Sequence, residues 1–545
     1  MGLQLTNKGL QDRKDWEAKG IRLPQYDRPA MQARTIEEPI WLHFGGGNIF
    51  RGYIAGLQEE LLNKAEAERG IIAVESFDGE SIDRIYKPFE ALTLYVRLHA
   101  DGESDLQVIG AVADGIKSSP DFAEDHARLL RYFAAPSLQM VSFTITEKGY
   151  ALRRMDGSYL PVVEADMQAG PAGAQHVMGI VAAGLHSRFQ AGAKPLAVVS
   201  MDNCSQNGRK LRESVLEIAR QWEQRTLVAP GFLAWLEDET QVAFPWSMID
   251  KITPRPALEI QQRLEALGIE DMKAMETAKH SFIAPFVNAE KAQYLVIEDR
   301  FPNGRPALEK AGVYMTDRHT VEQTEGMKVQ TCLNPLHTAL AVFGCLLGYT
   351  SIAAEMQDEA LVGLIRQLGY VEGMPVVIDP GILSPKDFID EVLEERLPNP
   401  FIPDAPQRIA MDTSQKLPIR FGETLKSYLA KPELEVSSLR AIPSVFAGWL
   451  RYLIGLDDQG QEMACSPDPL LSDLQERLAG LRDSFGQEPQ PEQLRELIRP
   501  ILKNQQIFGL DLVEAGLEEA VTQRLCAFLS GPGAVRQYLD REFRG

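Results

Sequence analysis

A short apolar run that ends in three consecutive glycines most narrows what this chain can become. Ile40-Trp41-Leu42-His43-Phe44 leads directly into Gly45-Gly46-Gly47-Asn48-Ile49-Phe50-Arg51, and Phe50 to Lys64 continues with apolar residues at helical spacing. A strand, a tight glycine turn and a helix, in that order, form the opening βα unit of a doubly wound sheet. Glycines at such a turn let backbone N–H groups approach a dinucleotide pyrophosphate, whose charge the helix N-terminus favours. Gly45, Gly46, Gly47, Asn48, Ile49, Phe50 and Arg51 are therefore candidate cofactor-binding residues, with Arg51 a cation beside the phosphates. The full G-x-G-x-x-G pattern is absent, so the run taken alone also fits a plain tight turn.

The surrounding sequence argues for the sheet. Candidate strands are Ile40 to Phe44, Ile71 to Val74, Leu92 to Arg97, Val108 to Val112, Met140 to Thr146 and Leu196 to Met201. Phe50 to Lys64, Asp121 to Phe133 and Gly208 to Gln224 read as helices between them. Alternation of this kind predicts a parallel sheet covered by helices. The second strand ends near Glu75 and Asp78, about where a carboxylate holds the adenosine ribose hydroxyls. Asp78 is taken as that group, which favours NAD over NADP because a carboxylate repels a 2′-phosphate. A solvated loop acid is the other reading of either residue.

From about residue 320 the pattern changes to long helical segments, among them Thr338 to Leu347, Ala360 to Leu368, Pro385 to Glu395, Val445 to Leu453 and Glu518 to Leu529. The expected fold class is α/β: a Rossmann-like, mostly parallel N-terminal domain over residues 1–320 and a mainly α-helical C-terminal domain over residues 321–545. The Pro-rich stretch Gln487 to Glu492 reads as a loop in the second domain. A formal net charge of -21 argues against nucleic acid or an anionic membrane as partners. The cysteines, at 204, 332, 345, 465 and 526, are scattered without a C-x-x-C pair or metal spacing, which fits a reduced, cytoplasmic setting. No signal-peptide core and no membrane-length apolar run is present, and Met1-Gly2 with Thr6 meets only the loose myristoylation pattern.

Further segments follow Gly45 to Arg51 in order. They are Val141-Ser142-Phe143-Thr144-Ile145-Thr146-Glu147-Lys148-Gly149-Tyr150, Ser200-Met201-Asp202-Asn203 with Asn207-Gly208, and Phe244-Pro245-Trp246-Ser247-Met248-Ile249-Asp250-Lys251-Ile252-Thr253-Pro254. Val296-Ile297-Glu298-Asp299 before Gly304-Arg305-Pro306, Glu325 to His337, and Arg408-Ile409-Ala410-Met411-Asp412-Thr413-Ser414-Gln415-Lys416-Leu417-Pro418 complete the set. Together, over residues about 40 to 420, they resemble the mannitol dehydrogenase family. The resemblance implies a metal-independent, NAD-dependent oxidoreductase that interconverts a secondary alcohol and a ketone on a small sugar-derived substrate. It implies Lys328 as general acid/base, Asn203 and Asn334 as donors to the developing oxyanion, His337 as the group orienting substrate, and Glu325 as proton carrier between the lysine and solvent. Asp250, Arg408 and Lys416 are the implied substrate contacts. A lysine desolvated in a closed cleft has its pKa lowered toward neutrality and exchanges protons in either direction, so the assignment is chemically coherent.

A hexuronate is the expected substrate, fructuronate being reduced to mannonate or the reverse. Mannitol, another hexitol or tagaturonate is the alternative, and a catalytically inactive sensor of nucleotide or sugar acid is the reading from another class. A monomer or weak oligomer is expected. Departures from the family pattern are Ile249-Asp250-Lys251 in place of Val-Asp-Arg, Thr413 in place of a glycine, and one extra residue between Lys328 and Asn334. Asn334-Pro335 reads as an N-cap and first helical position, and a single-residue π-type bulge around Thr331 to Leu333 would absorb the extra residue.

Overall fold

The apolar run before the glycines becomes β1 (Trp41–Phe44), an inner strand of a six-stranded sheet. In a computed structural model describing residues 2–154, 156–487 and 490–544, this sheet belongs to the first of two units, Met1–Glu322 and Gln323–Gly545. Its other strands are β2 (Ile71–Glu75), β3 (Val112–Lys117), β4 (Met140–Phe143), β5 (Leu196–Ser200) and β6 (Val242–Ala243). Their order is β3-β2-β1-β4-β5-β6, and every neighbouring pair is parallel. Strand order reverses at β1, so a crevice opens at the carboxyl ends of β1 and β4, where doubly wound sheets bind ligands.

Side chains alternate along each strand and so sort onto two faces. Trp41, Ile71, Ala73, Met140, Ala197 and Val199 pack against Leu57 and Leu61 of α1 (Ala55–Asn63). Leu42, Phe44, Ile72, Val74, Val141 and Val198 pack against α2 (Ala123–Ala134), α3 (Val177–Gln190) and α4 (Asn207–Gln224) through Leu129, Phe133, Leu185 and Val215. His43 points to the first face, with its ring stacked on Phe50 at 4.2 Å and its nitrogens 2.6 and 2.8 Å from the Ser142 and Thr144 hydroxyls. Burial pulls this imidazole down to about 3, so it sits neutral beneath the glycine turn.

Two strand expectations change. Thr93–Leu98 pairs antiparallel with Ser104–Ile109 in a separate four-stranded sheet that also holds Ile21–Arg22 and Phe286–Glu290. The run Leu92 to Arg97 is therefore outside the parallel sheet. Val108 to Val112 is not one strand but a join, because Ser104–Ile109 ends there and β3 begins at Val112. Apolar continuity hid the break, which is stabilised by Gly110 N–H donating to Glu59 and by the Ala111 carbonyl accepting from Ile71 N–H. A three-stranded sheet of Ser247–Asp250, Tyr294–Glu298 and Tyr314–Thr316 completes this unit's larger sheets.

Residue 322, where the units divide, falls inside α5 (Arg318–Gly326). Among its described residues, the second unit is helical and its extended pairing is the single bridge between Leu456 and Glu462. Its core is built on α6 (Asn334–Leu347) and α7 (Ala441–Leu453), both apolar on nearly all sides, with α8 (Glu518–Leu529) beside them. A Cβ at Gly448 would lie 2.8 Å from the Phe343 ring, so glycine sets how closely α7 approaches α6. In the stretch expected as a loop, Glu488 and Pro489 lie outside the described residues. Pro491 and Glu492 instead open the helix Pro491–Leu502, where a proline costs no intrahelical hydrogen bond.

Fully buried Arg188 donates from Nε, Nη1 and Nη2 to the carbonyls of Lys194, Phe133, Ala135, Leu138 and Pro195 at 2.6–3.0 Å. Those carbonyls belong to the segments that lead into β4 and β5, so one side chain fixes where both strands begin. Replacing Arg188 by leucine strips the donors and is expected to lower the unfolding free energy by about 3–5 kcal/mol, with the urea midpoint followed by tryptophan fluorescence. An unchanged midpoint would show that other contacts fix these two segments.

Candidate active site

In the first unit the site is built on the glycine turn. Gly45 has φ of +102°, and a Cβ there would lie 2.2 Å from the Thr144 carbonyl, so the close passage of the turn past the end of β4 requires glycine. Gly46 donates its N–H to Glu75 Oε2 at 3.0 Å and accepts from the Tyr86 hydroxyl at 2.9 Å. A Cβ at Gly47 would meet nothing within 4 Å, which leaves that peptide open. The turn borders a cavity of about 790 Å³ walled by Gly45, Gly46, Gly47, Asn48, Arg51 and Asp78, together with Thr144 to Thr146, the start of α3, Lys279, and Ser281 to Ile283. That volume is in the range of cofactor sites.

The expected cofactor residues divide. Ile49 and Phe50 are not in the cavity wall, because both pack into the core below. Arg51 reaches the wall, but its guanidinium is buried and clamped by the Ala284 carbonyl at 2.7 Å and Asn48 Oδ1 at 3.0 Å. Both oxygens of Glu75 are occupied, Oε2 by Gly46 and Oε1 by the N–H groups of Phe77 and Asp78 at 2.8 and 3.1 Å. Burial pushes the Glu75 carboxyl up despite these donors. Asp78 accepts from Glu80 N–H at 3.3 Å and from the Thr277 hydroxyl, and lies in the wall of the cavity.

Asn203 and Asp250 sit on segments that are tied together. The Asp202 carboxylate accepts the N–H groups of Ile145 and Thr146 at 2.9 and 2.8 Å and the Tyr150 hydroxyl. This holds Thr146 at a φ of 66°, a conformation that costs a β-branched residue energy. Asn207 donates to the carbonyls of Asp202 and Ser247 at 3.0 and 2.9 Å and accepts Ser247 N–H at 3.0 Å. Asn203 is exposed on the turn that follows β5, and Asp250 is the buried last residue of its strand.

In the second unit, Glu325 is half-buried near the end of α5, and Lys328 is 3% exposed on a π-helical turn, Met327–Cys332. Leu333 N–H donates to the Lys328 carbonyl five residues back, at 3.1 Å. Leu333 then breaks the helix with φ -133° and ψ -60°, and α6 begins at Asn334. The wide turn thus starts earlier than Thr331. The cap position is Leu333, not Asn334, so Asn334 takes the first and Pro335 the second helical position. His337 Nε2 lies 2.7 Å from Asp404 Oδ2, close enough for an ion pair but out of line for a directed hydrogen bond. Burial raises the Asp404 carboxyl, yet His337 and Arg408 outweigh it and hold the group below the usual aspartate range.

Arg408 is largely exposed and pairs with Asp404 one turn earlier. Lys416 donates to the carbonyls of Ile409, at 3.1 Å, and Met411. Burial, then neighbouring Arg420, brings its ammonium down to about 8. Thr413 fits in place of glycine because Asp412 takes the left-handed conformation, with φ of 53°, while the Thr413 hydroxyl bonds the Ala410 carbonyl at 2.7 Å. Sequence reasoning missed Asp404 and Arg420. The i,i+4 spacings Asp404/Arg408 and Lys416/Arg420 were the available signals, and both are common on ordinary helices.

The family model "Mannitol dehydrogenase Rossmann domain" matches residues 39–310, and "Mannitol dehydrogenase C-terminal domain" matches residues 320–529. The chain is 49% identical to the D-mannonate oxidoreductase of Thermotoga maritima, over 99% of this chain and 98% of that protein. Among solved structures it is similar to a substrate-free D-sorbitol dehydrogenase, with TM-score 0.76, 26% identity and 96% of each chain covered. It is also similar to the Pseudomonas fluorescens mannitol 2-dehydrogenase in ternary complex with NAD and D-mannitol, with TM-score 0.70, 26% identity and 99% of each chain covered. The open glycine turn at the head of a parallel sheet, the helical second unit and these matches lead to one conclusion: the chain belongs to the mannitol dehydrogenase family.

Proposed function

We propose that this protein is a cytoplasmic, NAD-dependent oxidoreductase that interconverts D-mannonate and D-fructuronate. The observation that carries the substrate assignment is the likeness to a D-mannonate oxidoreductase along nearly the whole of both chains. Among the described residues, no helix is long and apolar enough to cross a membrane.

The first unit fits a dinucleotide on its own geometry. The open Gly47 peptide and the cavity beside it suit the pyrophosphate, and Asp78 suits the ribose hydroxyls. A nicotinamide held there would supply the acceptor or donor of the hydride. The proton is the protein's task. Lys328 takes the hydroxyl proton during oxidation and returns it to the carbonyl oxygen during reduction, with Glu325 one turn earlier relaying it to solvent. Asn203 and Asn334 donate to the oxygen as charge develops on it. His337, steadied by Asp404, orients the hydroxyl-bearing carbon, while Asp250, Arg408 and Lys416 hold the rest of the substrate. This reading takes residues 1–320 as the nucleotide domain and 321–545 as the substrate domain.

The π-helical turn favours a working enzyme over an inactive sensor. A residue inserted into an α-helix turns everything beyond it by about 100°, whereas a wide turn absorbs one residue and preserves the register of Asn334 and His337 relative to Lys328.

Wild-type protein should reduce fructuronate with NADH faster than tagaturonate or fructose and oxidise mannonate faster than mannitol. In Lys328→Ala, kcat should drop about 10²–10⁴-fold with NADH binding retained. Nucleotide binding without turnover on the whole panel would instead identify a sensor, and preference for mannitol a polyol dehydrogenase. Gly47→Ala should keep wild-type stability but weaken NADH binding, because the added methyl meets only the cavity. Gly45→Ala should cost about 1–3 kcal/mol of stability through its backbone conformation, and a reversed pattern would place the nucleotide elsewhere. Lys416 is cationic below about 8 and neutral above it. The KM for fructuronate should therefore rise as pH passes through that value while NADH affinity stays level, and a flat KM would remove Lys416 from substrate binding.

A further inference from the structure

We propose that Arg420 binds the carboxylate of a sugar-acid substrate and makes the site selective for uronates over neutral sugars, an assignment that rests on the uronate reading above. Arg420 sits in a π-helical turn, Pro418–Gly422, four residues beyond Lys416. Its Nη1 donates to the Thr338 hydroxyl and lies 3.5 Å from the Asn334 carbonyl, so it is anchored on the first turn of α6, which also carries Asn334 and His337. Among the described residues, Nε and Nη2 have no hydrogen-bond partner, and no carboxylate forms an ion pair with the guanidinium.

Arg420 is partly buried, and its guanidinium keeps donors that no group among the described residues uses. Arg188 and Arg451, which are fully buried, spend Nε and both Nη atoms on backbone carbonyls. Donors left without a protein partner on a partly buried guanidinium stay available to a ligand, and the charge lacks the compensation that an anion would supply. Burial depresses the Arg420 guanidinium to about 10, which still leaves it cationic at neutral pH. Lys416 nearby is similarly placed: its ammonium bonds only backbone carbonyls, and Arg420 is the largest electrostatic influence lowering its pKa. Of Arg408, Lys416 and Arg420, Arg408 alone is paired with an acid, Asp404.

Two adjacent cations that repel each other, with guanidinium donors to spare, are completed by an anion. The fork of Nε and Nη2 matches the two oxygens of a carboxylate, whereas a hexitol hydroxyl offers neither the charge nor the paired acceptors. The alternative role is a clamp: Arg420 could serve only to hold the start of α6 through Thr338 and Asn334.

The test compares wild type, Arg420→Met and Arg420→Lys in NADH-linked reduction of fructuronate and of fructose, with a melting curve for each. Binding of mannonate and of mannitol to the enzyme–NADH complex, followed by nucleotide fluorescence, reads the same contrast where turnover on fructose is too slow to time. Arg420→Met should lower kcat/KM for fructuronate, and affinity for mannonate, by about 10- to 100-fold, with an effect at least about tenfold smaller on the neutral partners. Arg420→Lys should recover part of the loss. Equal losses on acid and neutral compounds would make Arg420 a clamp, and no loss would remove it from the site; either overturns the proposal while leaving the uronate assignment standing. A wild-type enzyme that turns over fructose or mannitol but no uronate would overturn both.

Discussion

Where parallel strands end, their backbone groups leave the ladder and still need hydrogen-bond partners before a loop can present anything to a ligand. Three polar side chains meet that need in the first unit. Glu75 gathers the N–H groups of Gly46, Phe77 and Asp78, Asp202 gathers those of Ile145 and Thr146, and Asn207 bridges Asp202 to Ser247. The loops after β1, β2, β4 and β5 are thereby cross-tied. With those ties made inside the protein, the Gly47 peptide can stay open toward the cavity without the turn collapsing.

The helical unit solves a different problem. Between Lys328 and Asn334 the backbone forms a wide turn rather than a regular α-helix. The Leu333 N–H reaching back to the Lys328 carbonyl keeps the backbone bonded through the irregularity, and the break at Leu333 lets α6 start with a proline in its first turn. Around that start, charge is distributed unevenly: Asp404 serves His337 and Arg408, while Lys416 and Arg420 have only neutral oxygens as hydrogen-bond partners.

Much of this was legible in the residues. Short apolar runs, buried on both faces, marked β1, β2, β4 and β5, and period-3.6 patterns marked α4, α6 and α8 to within a few residues. Family membership followed from motif order. The misread strand has a plain cause. Leu92 to Arg97 looks like any sheet strand, and only its pairing with Ser104–Ile109 removes it from the parallel sheet. Nor could the residues alone tell that the side chains of Ile49 and Phe50 turn to the core while Arg51, in the cavity wall, is held by the Ala284 carbonyl.

By itself the sequence determined the succession of elements, the glycine turn and the family, and it suggested a wide turn before Pro335 that the structure places earlier, at Met327–Cys332. Each depends on local spacing, backbone freedom or motif order. Only the tertiary structure decided that Glu75 is spent on Gly46, that Asp404 rather than solvent faces His337, and that Arg420 lies beside Lys416 with donors unused. Burial and hydrogen-bond partners set those outcomes, and they come from residues far apart along the chain.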